Sequence, residues 1–254
     1  MKRIISTWIV VTAVSLLIGC QTTGNTRPDH VAPDPKAAEI NMRLGLNYLQ
    51  RGDYEIALQK LQKALRQNPN LASAHNTIAL LYQRLDEMKK AESHFKEAVI
   101  REPKYSEAQN NYGVFLCQQG RYDEAEQHFL EAIKNPLYSS PAQALENAAM
   151  CASRIPDNAR AEELFRQALR INPTLSKSLL WMADLSYQQQ DYLQSRAYIE
   201  RYQSVASWSA QALLLAIKTE NQLDDQNAVS SYILLLKERF PDSEEVSQVK
   251  KGQY

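Results

Sequence analysis

Three cysteines and four histidines are the side chains of this 254-residue sequence best suited to chemistry. Cys117 and Cys151 stand 34 residues apart, and so do His94 and His128. A thiol pair offers a disulfide or, equally, two buried thiols serving as small apolar groups. A histidine pair offers two metal ligands, but no Cys, Asp or Glu cluster of recognised spacing accompanies it, and the other reading is a pair of surface side chains. His75 and His30 have no such companion. No Gly-rich phosphate loop, Gly-x-Ser-x-Gly elbow or His-Glu-x-x-His occurs, and the many carboxylates read as ordinary helix-surface charges. The sequence therefore predicts no catalytic site, no metal and no cofactor.

The spacing of 34 belongs to the whole chain. Ala57, Ala91, Ala125, Ala161, Ser195 and Val229 recur at steps of 34 or 36. Seven residues on, Ala64, Ala98, Ala132, Ala168, Tyr202 and Leu236 keep the same rhythm, with Leu61, Phe95, Phe129, Phe165, Ile199 and Ile233 between. Small residues let two antiparallel helices approach and a bulky one fills the gap, while Pro69, Pro103, Pro173 and Pro241 stop the second helix. This is similar to the tetratricopeptide pattern. It predicts an all-α, right-handed superhelical solenoid of about six helix-turn-helix repeats, at approximately 38–71, 72–105, 106–141, 142–175, 176–209 and 210–243. Such units bury their apolar faces only by stacking. Leu44, Gly45 and Tyr48 mark the core face of the first helix. Two extra residues near Pro136 to Pro141 predict a longer loop, and the substitutions in the last two units predict looser packing.

Ahead of the repeats, Lys2 and Arg3 precede an uncharged apolar run from Ile4 to Ile18, too short to span a bilayer comfortably. It ends in Leu17-Ile18-Gly19-Cys20, which resembles the lipobox of bacterial lipoproteins. The resemblance implies a signal peptide at 1–19 and acylation of Cys20, and Gln21 after it implies sorting to the outer membrane. The other reading is an ordinary signal peptide that contains a cysteine. Residues 20–36, with Pro28, Pro33 and Pro35, form the expected tether, and 248–254 the expected tail after a repeat region of 37–247. Without Lys2 and Arg3 there are 27 basic and 29 acidic residues, which leaves nothing to attract nucleic acid or an anionic membrane surface.

Binding is therefore expected on the first helices of the units, which line the inner face of such a solenoid. The first unit places Met42, Leu46 and Leu49 there at i, i+4, i+7. Their counterparts are Asn76, Leu80 and Gln83, then Asn110, Val114 and Cys117. The candidate groove is Met42, Leu46, Leu49, Asn76, Leu80 and Asn110, with the asparagines available to a peptide backbone. Cys117 and Cys151 fall late in the first helices of adjacent units, close enough for their sulfurs to meet; an oxidising periplasm favours the bond.

The run from Asn110 through Leu116-Cys117-Gln118-Gln119-Gly120-Arg121-Tyr122 to Ala125, with Pro136-Leu137-Tyr138 and Asn147-Ala148-Ala149-Met150-Cys151, resembles the type IV pilus biogenesis/stability lipoprotein family (PilW/PilF). The resemblance implies a pilotin, a lipid-anchored protein on the periplasmic face of the outer membrane. Its partners would be the secretin of the type IV pilus, the membrane and the lipoprotein sorting machinery, with no small-molecule substrate. Another outer-membrane repeat scaffold, serving cell-wall enzymes or outer-membrane protein assembly, shares the lipobox and repeats.

Overall fold

A computed structural model describes residues 33–155 and 158–254; the expected signal peptide, Cys20, His30 and the tether up to residue 32 lie outside them. The described residues form thirteen α-helices and no strand. They run α1 (Pro35–Arg51), α2 (Tyr54–Gln67), α3 (Ala72–Arg84), α4 (Met88–Arg101), α5 (Ser106–Gln118), α6 (Tyr122–Ile133), α7 (Pro141–Ala152) and α8 (Asn158–Ile171). Then follow α9 (Ser176–Gln188), α10 (Tyr192–Val205), α11 (Ala210–Gln222), α12 (Gln226–Arg239) and α13 (Glu244–Lys250). Helices α1 to α12 pair as six antiparallel units, and each unit packs on the next.

Two boundaries differ from those expected. Helix α1 begins at Pro35, inside the expected tether, because Asp34 accepts a hydrogen bond from the Ala37 N–H at 2.9 Å and Pro35 fills the first helical position. At the other end, α13 occupies part of the expected tail. Ser243 caps it, and Val246 and Val249 are buried where a seventh unit would otherwise stack.

The repeated small-bulky-small residues form the spine of the stack. Ala57, Leu61 and Ala64 are fully buried, and so are Ala91, Phe95 and Ala98, with the two following triplets at most 1% exposed. Close approach of the paired helices depends on small residues. A Cβ on Gly45 would meet Leu61 Cγ at 2.5 Å, and one on Gly113 would meet Phe129 Cε1 at 2.8 Å. The last unit is the more loosely packed, as expected, with Ile233 only half-buried in the place where Leu61, Phe95, Phe129 and Phe165 are buried, while the fifth still buries Ile199. Tyr202 stands where alanine stood, and its hydroxyl donates to the Ser207 carbonyl at 3.1 Å, while Ser195 bonds Thr219 of the next unit at 3.0 Å.

Leu44 is a second correction: it is 39% exposed. Its place on the helix is a core place only when a preceding unit exists to cover it. The longer loop before α7 does form, and it buries Tyr138 against Ala132 and Ala144 while leaving Leu137 exposed. In five of the six units the turn between the paired helices carries a left-handed residue, at Gly52, Asp86, Gly120, Gln190 and Asp224.

Candidate functional site

The inner face of the first helices is a row of neutral side chains over the first three units. Met42, Leu46 and Leu49 are each half-buried. Met42 and Leu49 pack on the cluster of Ala57, Leu61, Ile78 and Leu81, so they share their surface with the core, and Leu46 is left as the stripe's less committed member. Leu80 is half-buried against the main core.

The asparagines are used differently from the expectation. Asn76 is only 5% exposed. Its Oδ1 accepts from Asn111 Nδ2 at 3.2 Å. It ties the second unit to the third instead of reaching into the groove. Asn110, half-buried, accepts from Asn147 Nδ2 at 2.9 Å, and Gln83 Nε2 donates to Gln118 at 2.6 Å. A carboxamide ladder thus crosses the first helices of units two to four. A buried amide such as Asn76 needs a partner of this kind, and here the stack itself supplies it.

Cys117 and Cys151 form a disulfide, with Cα atoms 5.8 Å apart, joining α5 to α7. Val114, Asn147 and Met150 surround it on the same face. It is a covalent rung parallel to the Asn110–Asn147 rung.

His75 is buried and His94 and His128 are half-buried, each facing a polar partner between paired helices. His75 Nδ1 lies 3.0 Å from His94 Nδ1, and His75 Nε2 lies 3.1 Å from the Pro69 carbonyl. The carbonyl requires a donor, so His75 carries its proton on Nε2 and accepts at Nδ1 from His94. Burial holds both imidazoles below their ordinary pKa. One unit on, His128 Nδ1 bonds Gln109 Oε1 at 2.6 Å, and Gln109 Nε2 donates to the Pro103 carbonyl. His94 and His128 are therefore equivalent yet bonded within separate units. Among the described residues no three His, Cys, Asp or Glu side chains gather as a metal would require.

Sequence reasoning missed a second concavity. Met150 of α7, Leu180, Trp181 and Asp184 of α9, and Leu215 of α11 line a cavity of about 230 Å³. Trp181 stacks on Phe165 with ring centroids 4.5 Å apart. The signal was a tryptophan two residues beyond a core leucine, Leu179, in a unit whose divergence from the repeat pattern hid it.

Paired helices with this repeat make the molecule a tetratricopeptide-repeat solenoid; residues 45–86 and 72–105, and a longer stretch at 105–174, match tetratricopeptide repeats. A narrower relationship also holds. The chain is 34% identical over 233 residues to the type IV pilus assembly protein PilF of Pseudomonas aeruginosa, covering 91% of this chain and 92% of that one. It belongs to that family of type IV pilus biogenesis proteins. The solved structure of Pseudomonas aeruginosa PilF superposes with a TM-score of 0.79 over 85% of this chain and 98% of its own. That of PilW, described as a widely conserved type IV pilus biogenesis factor, does so with 0.74 at 28% identity, over 85% and 99%.

Proposed function

We propose that this chain is a non-enzymatic, lipid-anchored pilotin of the outer membrane. It binds secretin subunits along the inner face of its first helices and promotes their localisation and assembly into rings for type IV pilus biogenesis. Family membership supports the pilus, and Gly19-Cys20 at the end of the apolar leader supports the anchor. The observation that carries the binding mode is the half-buried stripe of Met42, Leu46 and Leu49 beside Leu80, without a charged side chain among them. Such a surface gains by covering apolar area, about 25 cal/mol per Å², and selects partners by fit. Acylation adds effective concentration: an anchored binder and a membrane-inserting partner meet in a thin layer.

Outer membranes from cells carrying the wild-type chain, no chain, or Leu46→Glu, run unheated and blotted for the secretin, test this reading. Loss of the high-mass ring without the chain and with Leu46→Glu is the expected result. An intact ring without the chain would transfer the protein to the other scaffolds. An intact ring with Leu46→Glu alone would move the binding surface off the first unit.

A further inference from the structure

Ile40 and Leu44 occupy the two places on the first helix of a unit that every later unit buries. In α3 the equivalents are Ala74 and Ile78, in α11 Ala212 and Ala216, and in all five later units the pair is at most 3% exposed. Ile40 is 53% exposed and Leu44 39%. Ile78 shows what normally covers this face, since it sits in one cluster with Ala57 and Leu61 of the preceding α2.

We infer that the open side of α1 receives an amphipathic helix from another polypeptide, which takes the place of the second helix of a preceding unit. The shape follows from the repeat: these places are built to receive a helix, and five of six receive one. The occupant's charge follows from the borders. Lys36 and Arg43 flank the Ile40–Leu44 stripe and neither makes an ion pair among the described residues, so the occupant carries acidic residues beside its apolar stripe. The chain's own residues 21–33 hold one bulky apolar side chain, Val31, fewer than a covering stripe needs. A second copy fits no better. The far end of the stack is closed by α13, which bars head-to-tail chaining, and α1 against α1 would set the exposed Lys36 and Arg43 of both copies along one seam, like charge against like. The inference rests on the pilotin reading only for the partner's identity, not for the chemistry of the surface.

The test places a photo-reactive phenylalanine at position 44 of the full chain in cells, with and without Ile40→Lys. Expected is an adduct on residues spaced three or four apart in an amphipathic, acid-flanked segment of another protein, its yield at least tenfold lower with Ile40→Lys. An adduct on residues 21–33, on lipid or on a second copy, or no adduct, overturns the inference. Ring assembly with Ile40→Lys plus Leu44→Lys, in protein whose unfolding matches wild type, separates the two readings. An intact ring there, with the ring lost in Leu46→Glu, removes the docking helix and leaves the inner-face reading standing.

Discussion

The carboxylate of Glu146 in α7 accepts two hydrogen bonds from Ser178 in α9, one from its backbone N–H at 3.1 Å and one from its hydroxyl at 2.8 Å. Both residues are buried, and Ser178 lies in the first turn of its helix, where backbone N–H groups lack intrahelical partners. One unit thus caps the helix of the next, at the end where negative charge is favourable. Glu146→Leu strands a buried N–H and a hydroxyl together, and the expected cost is about 3 kcal/mol. Glu146→Gln keeps an acceptor oxygen and should lose no more than about 1 kcal/mol. Urea unfolding of the two variants side by side checks the difference.

Acid should loosen the second and third units. His75, His94 and His128 are all held below their ordinary value of 6.5, chiefly by burial. The unfolded chain therefore takes up protons near pH 6.5 that the folded chain refuses. Stability is complete above that point and is lost as pH falls through the lower folded values. Leu145 and Leu164 occupy the equivalent places in the fourth unit, both buried. Exchanging His75 and His94 for leucine should flatten the pH dependence of the urea midpoint between about pH 7.5 and 5.5, leaving only the share of His128.

Reduction of the disulfide should cost more than any single ladder bond. The bridge closes a loop of 34 residues across two units, which on chain-entropy grounds stabilises by about 3–4 kcal/mol. Cys117→Ser with Cys151→Ser should show the same fall in unfolding midpoint as wild type in reductant, and reductant should not lower the variant further.

Gln190 holds φ 63° in a turn where the first and third units place Gly52 and Gly120. A left-handed conformation costs a residue with a Cβ roughly 1–2 kcal/mol, part of which glycine's greater unfolded freedom returns. Gln190→Gly is expected to stabilise by about 1 kcal/mol, and calorimetry would register it as a higher Tm.

The helix pairs and the small-bulky-small spine were legible because they arise from contacts inside a unit, which a fixed period records. Contacts between units were less so. Asn76 reads as a groove residue from its place on the helix, and only the offset of one unit on the next brings Asn111 to it. Leu44 reads as core for the same reason, since a pattern states which face a residue occupies and not whether a neighbour is there. The histidines needed a partner 19 residues away on the paired helix. Trp181 lies in a unit where alanines had given way to larger residues, and its cavity depends on three units at once.

The carboxamide ladder also makes a ruler of the inner face. Neighbouring helices sit about 8–10 Å apart, and the rungs from Asn76 to Asn111 and from Asn110 to Asn147 keep that interval from opening. An extended guest advances about 3.3 Å per residue, so it would meet the same place on successive units at roughly every third residue. A helical guest laid along the same line advances about 1.5 Å and would meet it at roughly every sixth or seventh, close to two turns, with one face always inward. The graduation is fixed by the host, so the spacing of anchor residues along a bound segment would reveal its conformation before any complex is seen.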